Sequence, residues 1–319
     1  MLRQRLAYLR KDLGSLALDR GLRGLAQLAA LHPSARPERH GVRVVRNVAY
    51  GHAPHQRLDV YEPAQGHGTP VLYLHGGGFR ILSKDTHWAM ALGFARHGYT
   101  VFVPDYRLAP RHPFPEGLED AAEALLWLTS AAATWRCDRR RLVLAGESAG
   151  GNFVTALAIA RSWERREPFA QRIFDADVAV AAVLPACPLL QLSQPGHRGT
   201  PAGWMYDRIA AITEAYLPAG VDAAEDPVTR QLADVICFLE AAPSPARPLP
   251  PLFGICGDAD PIVRDTERLI PAWRHLGGEA GLRLYPGAGH AFHAFFWTPS
   301  AKAAWRDQHD FLRRTLVLP

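Results

Sequence analysis

An alternation restricts this chain more than any other feature. From residue 42 onward, short and continuously apolar runs such as VLYLH, TVFVP and RLVLAG take turns with segments of helical period. Strands apolar on both sides belong to parallel sheets covered on both faces, and a helix between successive strands is the crossover that parallel pairing needs. The pattern predicts strands over 42–50, 57–61, 71–75, 99–104, 141–145, 177–184, 252–257 and 281–286. Helices are predicted over 85–97, 118–133, 149–165, 266–276 and about 301–314. The expected fold class is α/β, a mostly parallel eight-stranded sheet flanked by helices.

Two stretches stand outside the alternation. Residues 1–45 carry Leu and Ala at helical spacing, with breaks expected at Gly14, Gly21 and Gly24. Residues 190–250 hold Trp204, Met205, Tyr206 and Tyr216 and close with APSPARPLPP. Both flank strand ends, where α/β sheets place their ligands, so both are expected to form a cap. The expected core is then 46–189 and 251–319.

Charge is uneven along the chain. Residues 1–50 carry ten Lys/Arg and three Asp/Glu, whereas the other 269 carry 26 basic and 28 acidic groups. No aromatic-basic motif accompanies the basic segment, so a solvated helix face is expected and a nucleic-acid partner is not. No apolar run is long enough for stable membrane insertion. Cys137, Cys187, Cys237 and Cys256 lie far apart and form no CxxC pair, which predicts a reduced, cytoplasmic protein with no metal site built from cysteines.

The chemistry concentrates in a few loops. Gly146-Glu147-Ser148-Ala149-Gly150-Gly151 lies between the strand RLVLA and a helix, the context in which Gly-x-Ser-x-Gly exposes a nucleophilic serine on a tight turn. His75-Gly76-Gly77-Gly78 follows VLYL, and its glycines let backbone amides approach a developing oxyanion. The expected donors are the amides of Gly76, Gly77 and Ala149, with His75 structural. A serine needs a base and an orienting carboxylate, in the chain order Ser, Asp/Glu, His for this architecture. Asp260 is favoured over Asp258 in GDADPIVRD, and His290 over His293 in GAGHAFHAF. Asp105, Tyr106 and Arg107 are read as an Asp/Arg pair and a packed Tyr bracing the HGGG loop. Trp88, Trp204, Tyr206 and Phe292 are candidates for the substrate pocket, with Phe295 and Trp297 behind them.

Taken together, HGGGF at 75–79, PDYRLAP at 104–110, HPFPEGLED at 112–120, GESAGG at 146–151, DP at 260–261 and GAGHAF at 287–292 resemble the hormone-sensitive-lipase family of α/β-hydrolase esterases. The resemblance implies an α/β-hydrolase fold with a helical cap, a triad of Ser148, Asp260 and His290, an oxyanion hole at Gly76, Gly77 and Ala149, and no cofactor. The implied activity is a serine carboxylesterase acting on short- to medium-chain acyl esters, with a homodimer as one assembly to consider. Two alternatives stay open, an amidase or arylformamidase using the same triad, and a non-catalytic small-molecule receptor on the same fold. The chain departs from the family pattern at Glu147, where Asp is usual, at Arg111 and Ala291, and at Arg264, which displaces an acidic residue to Asp265.

Overall fold

The computed structural model describes residues 2–193, 204–217 and 229–318, without the side chains of 2–13, 15, 16, 204–207, 229 and 230. Among the described residues eight strands form one sheet: β1 (Val42–Ala49), β2 (Arg57–Pro63), β3 (Thr69–Leu74), β4 (Tyr99–Pro104), β5 (Val143–Glu147), β6 (Ala182–Ala186), β7 (Leu252–Gly257) and β8 (Ala280–Tyr285). Their order is β1-β2-β4-β3-β5-β6-β7-β8. β2 runs antiparallel to both β1 and β4, and every other pairing is parallel. The helices are α1 (Leu2–Ala30), α2 (Trp88–Ala95), α3 (Glu116–Ala131), α4 (Ala149–Ser162), α5 (Pro168–Asp175), α6 (Trp204–Tyr216), α7 (Val235–Ala241), α8 (Val263–His275) and α9 (Pro299–Leu316).

Alternation along the strands supplies both faces of the sheet. Leu72, Leu74, Phe102 and Leu144 join a core with Leu125 of α3, Phe153 of α4 and Trp273 of α8. Their neighbours Val71, Tyr73, Val101 and Val143 pack on the opposite side with Phe94 of α2 and Trp305 and Leu312 of α9. Period two in a doubly covered strand demands apolar residues at every position, which is why these strands read as unbroken apolar runs.

Three elements differ from the sequence expectation. The segment 177–181 is not strand: Asp177 takes φ +47, and pairing begins at Ala182. α5 was not anticipated; Pro168 at its first turn opens it. The N-terminal segment is one continuous helix through Gly14, Gly21 and Gly24 rather than a broken one. Glycine costs a helix about 1 kcal/mol relative to alanine but leaves the amide hydrogen bond intact, unlike proline. α1 is fixed to the body by Asp19, whose carboxylate accepts from the Leu82 amide at 2.8 Å, and by Trp88, whose indole donates to Ala26 O at 3.2 Å. Among the described residues no helix is long and apolar enough to cross a membrane.

Candidate active site

β5 ends at Glu147, and Ser148 turns the chain into α4 with φ +53 and ψ −115. That region is unfavourable for a residue with a Cβ, so the surroundings must enforce it. They do so by close approach. A Cβ at Gly150 would stand 1.9 Å from Leu74 O, so only glycine lets the first turn of α4 lie against the end of β3. The Ser148 amide is anchored on Ala186 O at 2.9 Å.

The loops after β7 and β8 bring the other two residues to this turn. His290 Nε2 lies 3.0 Å from Ser148 Oγ, and His290 Nδ1 donates to Asp260 Oδ2 at 2.8 Å. Asp260 is itself held by the Ile262 amide at 2.9 Å and by the Cys256 thiol, 3.5 Å from Oδ2. Asp258 stays in the exposed loop, accepting from the Gly287 amide at 2.7 Å. Burial alone would depress the His290 imidazole, but the Asp260 charge and hydrogen bond outweigh it, and the net displacement is upward from 6.5.

Ser148 and His290 open onto a cavity of about 450 Å³ whose walls include Leu18 and Leu22 of α1, Leu82, Leu189, Ile212 of α6 and Ile262. A catalytic-type group beside an apolar cavity of this size suits a small ligand with one reacting polar centre. Gly77 and Gly78 line the cavity. Gly77 sits at φ +114, where a Cβ would stand 2.1 Å from Ile81 O, so the tight loop needs glycine there. Gly76 lies one step behind, with its amide turned toward His87 Nε2 at 3.4 Å. Ala149 is the first residue of α4, whose N-terminal amides have no partner within the helix.

The aromatic candidates are placed differently from the expectation. Trp88 packs in the α2/α9 core against α1, and Phe292 is buried between Tyr285 and Ala304; neither lines the cavity. Trp204 and Tyr206 fall in the first turn of α6, where the side chains lie outside the described residues. Phe295 and Trp297 are exposed. Aliphatic side chains, together with Arg80 and Arg208, line the cavity instead, and an aliphatic residue in a loop or cap helix gives no sequence signal to separate it from core.

The bracing residues also find other partners. Tyr106 stacks on His75 at 4.1 Å and donates to His75 O at 2.7 Å, directly supporting the glycine loop. Arg107 pairs with Asp120 at 2.7 Å and with Glu116 and Glu119, not with Asp105, which accepts from the Lys84 amide. The displaced acid Asp265 is fully buried and accepts from the Leu190 and Gln191 amides, fixing the chain as it leaves β6.

Sequence reasoning missed a second buried cluster. Glu147 Oε1 lies 2.9 Å from His87 Nε2, and Glu147 Oε2 lies 2.9 Å from His293 Nε2, the latter contact off the hydrogen-bond direction. Burial would raise the Glu147 carboxyl, but the two histidines hold it well below the usual carboxylate range. His293, passed over in favour of His290 on sequence, is nearly inaccessible. Cys187, Asp260 and His290 are the one group among the described residues with donor atoms close enough to share a metal ion. Asp260 and His290 are committed to each other, and burial holds the Cys187 thiol protonated, so we assign no ion to them.

The alpha/beta hydrolase fold family matches residues 71–294. The carboxylesterase/phospholipase LipF of Mycobacterium tuberculosis is 30% identical over 290 residues, spanning 87% of this chain and 70% of LipF. Ethyl acetate hydrolase of Pseudomonas putida is 39% identical over 113 residues, 34% of this chain and 35% of that protein. Among solved structures, a bacterial heroin esterase superposes with a TM-score of 0.78 at 21% identity, covering 97% of this chain and 93% of its own. A hyperthermophilic esterase from the archaeon Pyrobaculum calidifontis gives 0.77 at 24% identity, covering 98% of each chain. With its strand order, its serine turn and this family match, the chain belongs to the hormone-sensitive-lipase-like family of alpha/beta hydrolase esterases.

Proposed function

We propose that this protein is a serine carboxylesterase that hydrolyses short- to medium-chain acyl esters through an acyl-enzyme on Ser148. The observation that carries this reading is the hydrogen-bonded line from Ser148 Oγ to His290 at 3.0 Å and on to Asp260 at 2.8 Å, beside an apolar cavity of about 450 Å³. Ser148 attacks the ester carbonyl, and His290 Nε2 takes the hydroxyl proton and returns it to the leaving alcohol. Asp260 keeps the imidazole proton on Nδ1, so that Nε2 is the free base. The tetrahedral oxyanion forms beside the glycine loop and the first amide of α4, where Gly77 and Ala149 are the proposed donors; the Gly76 amide, expected from sequence to join them, is turned to His87 instead. Water activated by the same imidazole then releases the acid. No step calls for a cofactor.

The domain reading belongs to the same proposal. α1 and α6 contribute cavity walls, consistent with 1–45 and 190–250 acting as a cap over 46–189 and 251–319. The test is labelling by a fluorophosphonate followed by nitrophenyl esters from acetyl to palmitoyl. Labelling confined to Ser148 and a rate that falls from butyryl or hexanoyl toward palmitoyl are expected. An unlabelled Ser148 in active protein overturns the mechanism, and matched esters and anilides separate esterase from amidase.

A further inference from the structure

The cavity beside Ser148 is apolar over most of its wall, and the charge it does carry is divided between two sides. Among the described residues that line it, the ionisable side chains are Glu147 and His290, and Arg80 and Arg208. The first two belong to the sheet: Glu147 closes β5 and faces His87 and His293, and His290 is bonded to Asp260. The arginines belong to the cap side. Arg80 follows the glycine loop, and its Nη1 donates to Ala211 O of α6 at 3.3 Å. Arg208 stands on α6 itself, four residues before Ile212, and residues four apart share a helix face. Ile212 seats α6 on the glycine loop, since a Cβ on Gly78 would stand 2.6 Å from its Cδ1. Both guanidiniums are half-buried, and burial followed by the charge of Arg80 displaces Arg208 downward from its ordinary value. Two partly dehydrated like charges at one side of an apolar space repel each other, and an anion placed within reach of both relieves that cost.

We propose that the substrate is an ester bearing an anionic group, a carboxylate or a sulfonate, separated from the scissile carbonyl by an apolar spacer. The carbonyl sits at Ser148, the spacer lies along Leu82, Leu189 and Ile212, and the anion meets Arg80 and Arg208 beside α6. The inference rests on the serine esterase reading of the same site and narrows its substrate class. The distribution of charge fixes the orientation. Glu147 and Asp260 repel an anion from the catalytic side and the arginines attract it to the cap side, so the carbonyl is the end left to face the serine. A guanidinium presents five N–H donors in a planar fork, so one side chain can tie the loop to α6 and meet a carboxylate as well.

The test uses pairs of esters that differ in charge at nearly equal size. One pair carries the difference on the acyl side, nitrophenyl hydrogen adipate against nitrophenyl heptanoate. The other carries it on the alcohol side, the butyrate of para-hydroxybenzenesulfonate against that of para-hydroxyphenyl methyl sulfone. At low salt, kcat/KM should favour the anionic member of at least one pair by about tenfold to hundredfold, the scale of a hydrogen bond to a charged group. That preference should shrink as salt rises. Arg208→Met and Arg80→Met keep an aliphatic stem and lose the charge, and each should lower the anionic-to-neutral ratio about tenfold, whereas Arg208→Lys should keep part of it. Both members of a pair are read on one preparation, so a partly folded variant lowers both rates and does not imitate a changed ratio. A parent that prefers the neutral member of both pairs, or an anionic preference untouched by Arg208→Met, overturns the proposal. Ser148→Ala separates it from the esterase reading. On that variant calorimetry should show the anionic esters binding more tightly than their neutral partners, with the difference lost on adding Arg208→Met. Hydrolysis that survives Ser148→Ala overturns the esterase reading; equal binding of the two members of both pairs overturns this inference.

Discussion

Both ends of the sheet gather histidines, and they treat them in opposite ways. Where the parallel strands end, His290, His87 and His293 each face a carboxylate, Asp260 or Glu147, and His290 is displaced upward from 6.5. Where β3 and β4 begin, His67, His97 and His309 line a cavity of about 520 Å³, with His97 and His309 stacked at 3.8 Å. The one acid in that cavity, Asp310, pairs with Arg313. Neither ring nitrogen of His67 or of His309 has a hydrogen-bond partner among the described residues. Burial depresses all three, and His309, with His97, Arg96 and Arg313 adding to the burial, falls to about 3. His75 shows that the partner rather than the address decides. It sits at the active-site end without a carboxylate, and burial followed by the charge of His87 takes it to about 3 as well.

The largest expected effect separates chemistry from charge. Ser148→Ala removes the hydroxyl that faces His290 Nε2 but leaves every histidine its carboxylate, so it should abolish turnover, by about a million-fold if it follows subtilisin, while leaving acid unfolding unchanged. A folded variant retaining more than about a hundredth of parental activity would remove Ser148 as nucleophile. Next, Asp260→Asn deprives His290 of its carboxylate and should cost roughly ten-thousand-fold, the loss a serine protease suffers from the same change. Asp258→Asn, which alters only the loop contact to Gly287, should cost far less; the reverse ranking moves the acid to Asp258.

The pH profile should carry the same contrast. Protonated His290 cannot accept the Ser148 proton, and its upward displacement puts the acid limb above 6.5, with activity rising about tenfold per pH unit below the limb and level above it. A flat profile between about pH 5 and 9, with chemistry rate-limiting, breaks the histidine-base assignment. The smallest effect belongs to the other end. His309 has a lower pKa folded than unfolded, so protons favour the unfolded chain. Its contribution is complete above the ordinary 6.5 and is lost as pH falls toward about 3. Between pH 7 and 5 that loss is about 2 kcal/mol, and His309→Phe should flatten the urea-midpoint slope accordingly. An unchanged slope would place the acid sensitivity elsewhere.

Sequence made the first cluster legible and hid the second for a physical reason. Ser148, Asp260 and His290 each sit in a loop directly after an apolar strand, so local pattern places all three at one end of a parallel sheet. Glu147, His87 and His293 meet only in three dimensions, 60 residues apart in one pair, and a histidine in SKDTHWAM carries no local mark of what it faces. His67, His97 and His309 were silent for the same reason. The aromatic residues misled because a large side chain is as apolar in a core as in a pocket, and Trp88 and Phe292 went to the core. Seven strands were readable to within about two residues, since burial on both faces writes an unbroken apolar run, whereas the strand expected over 177–184 runs Ala182–Ala186. α1 was not, because glycine weakens a helix without ending it.

The sheet has two edges of unequal consequence. β1 pairs only with β2, on the side that carries none of the proposed site. β8 pairs only with β7 and leads, five residues past Tyr285, to His290. α9 latches that second edge twice, Asp307 accepting from the Tyr285 hydroxyl at 2.6 Å and Trp305 donating to His293 O at 3.1 Å. Edge strands open locally at a fraction of the global unfolding free energy. Opening β1 leaves the catalytic line intact and is visible only as amide hydrogen exchange. Opening β8 carries the base away, so the lifetime of activity under mild denaturant is set by the grip of one C-terminal helix rather than by the melting of the core.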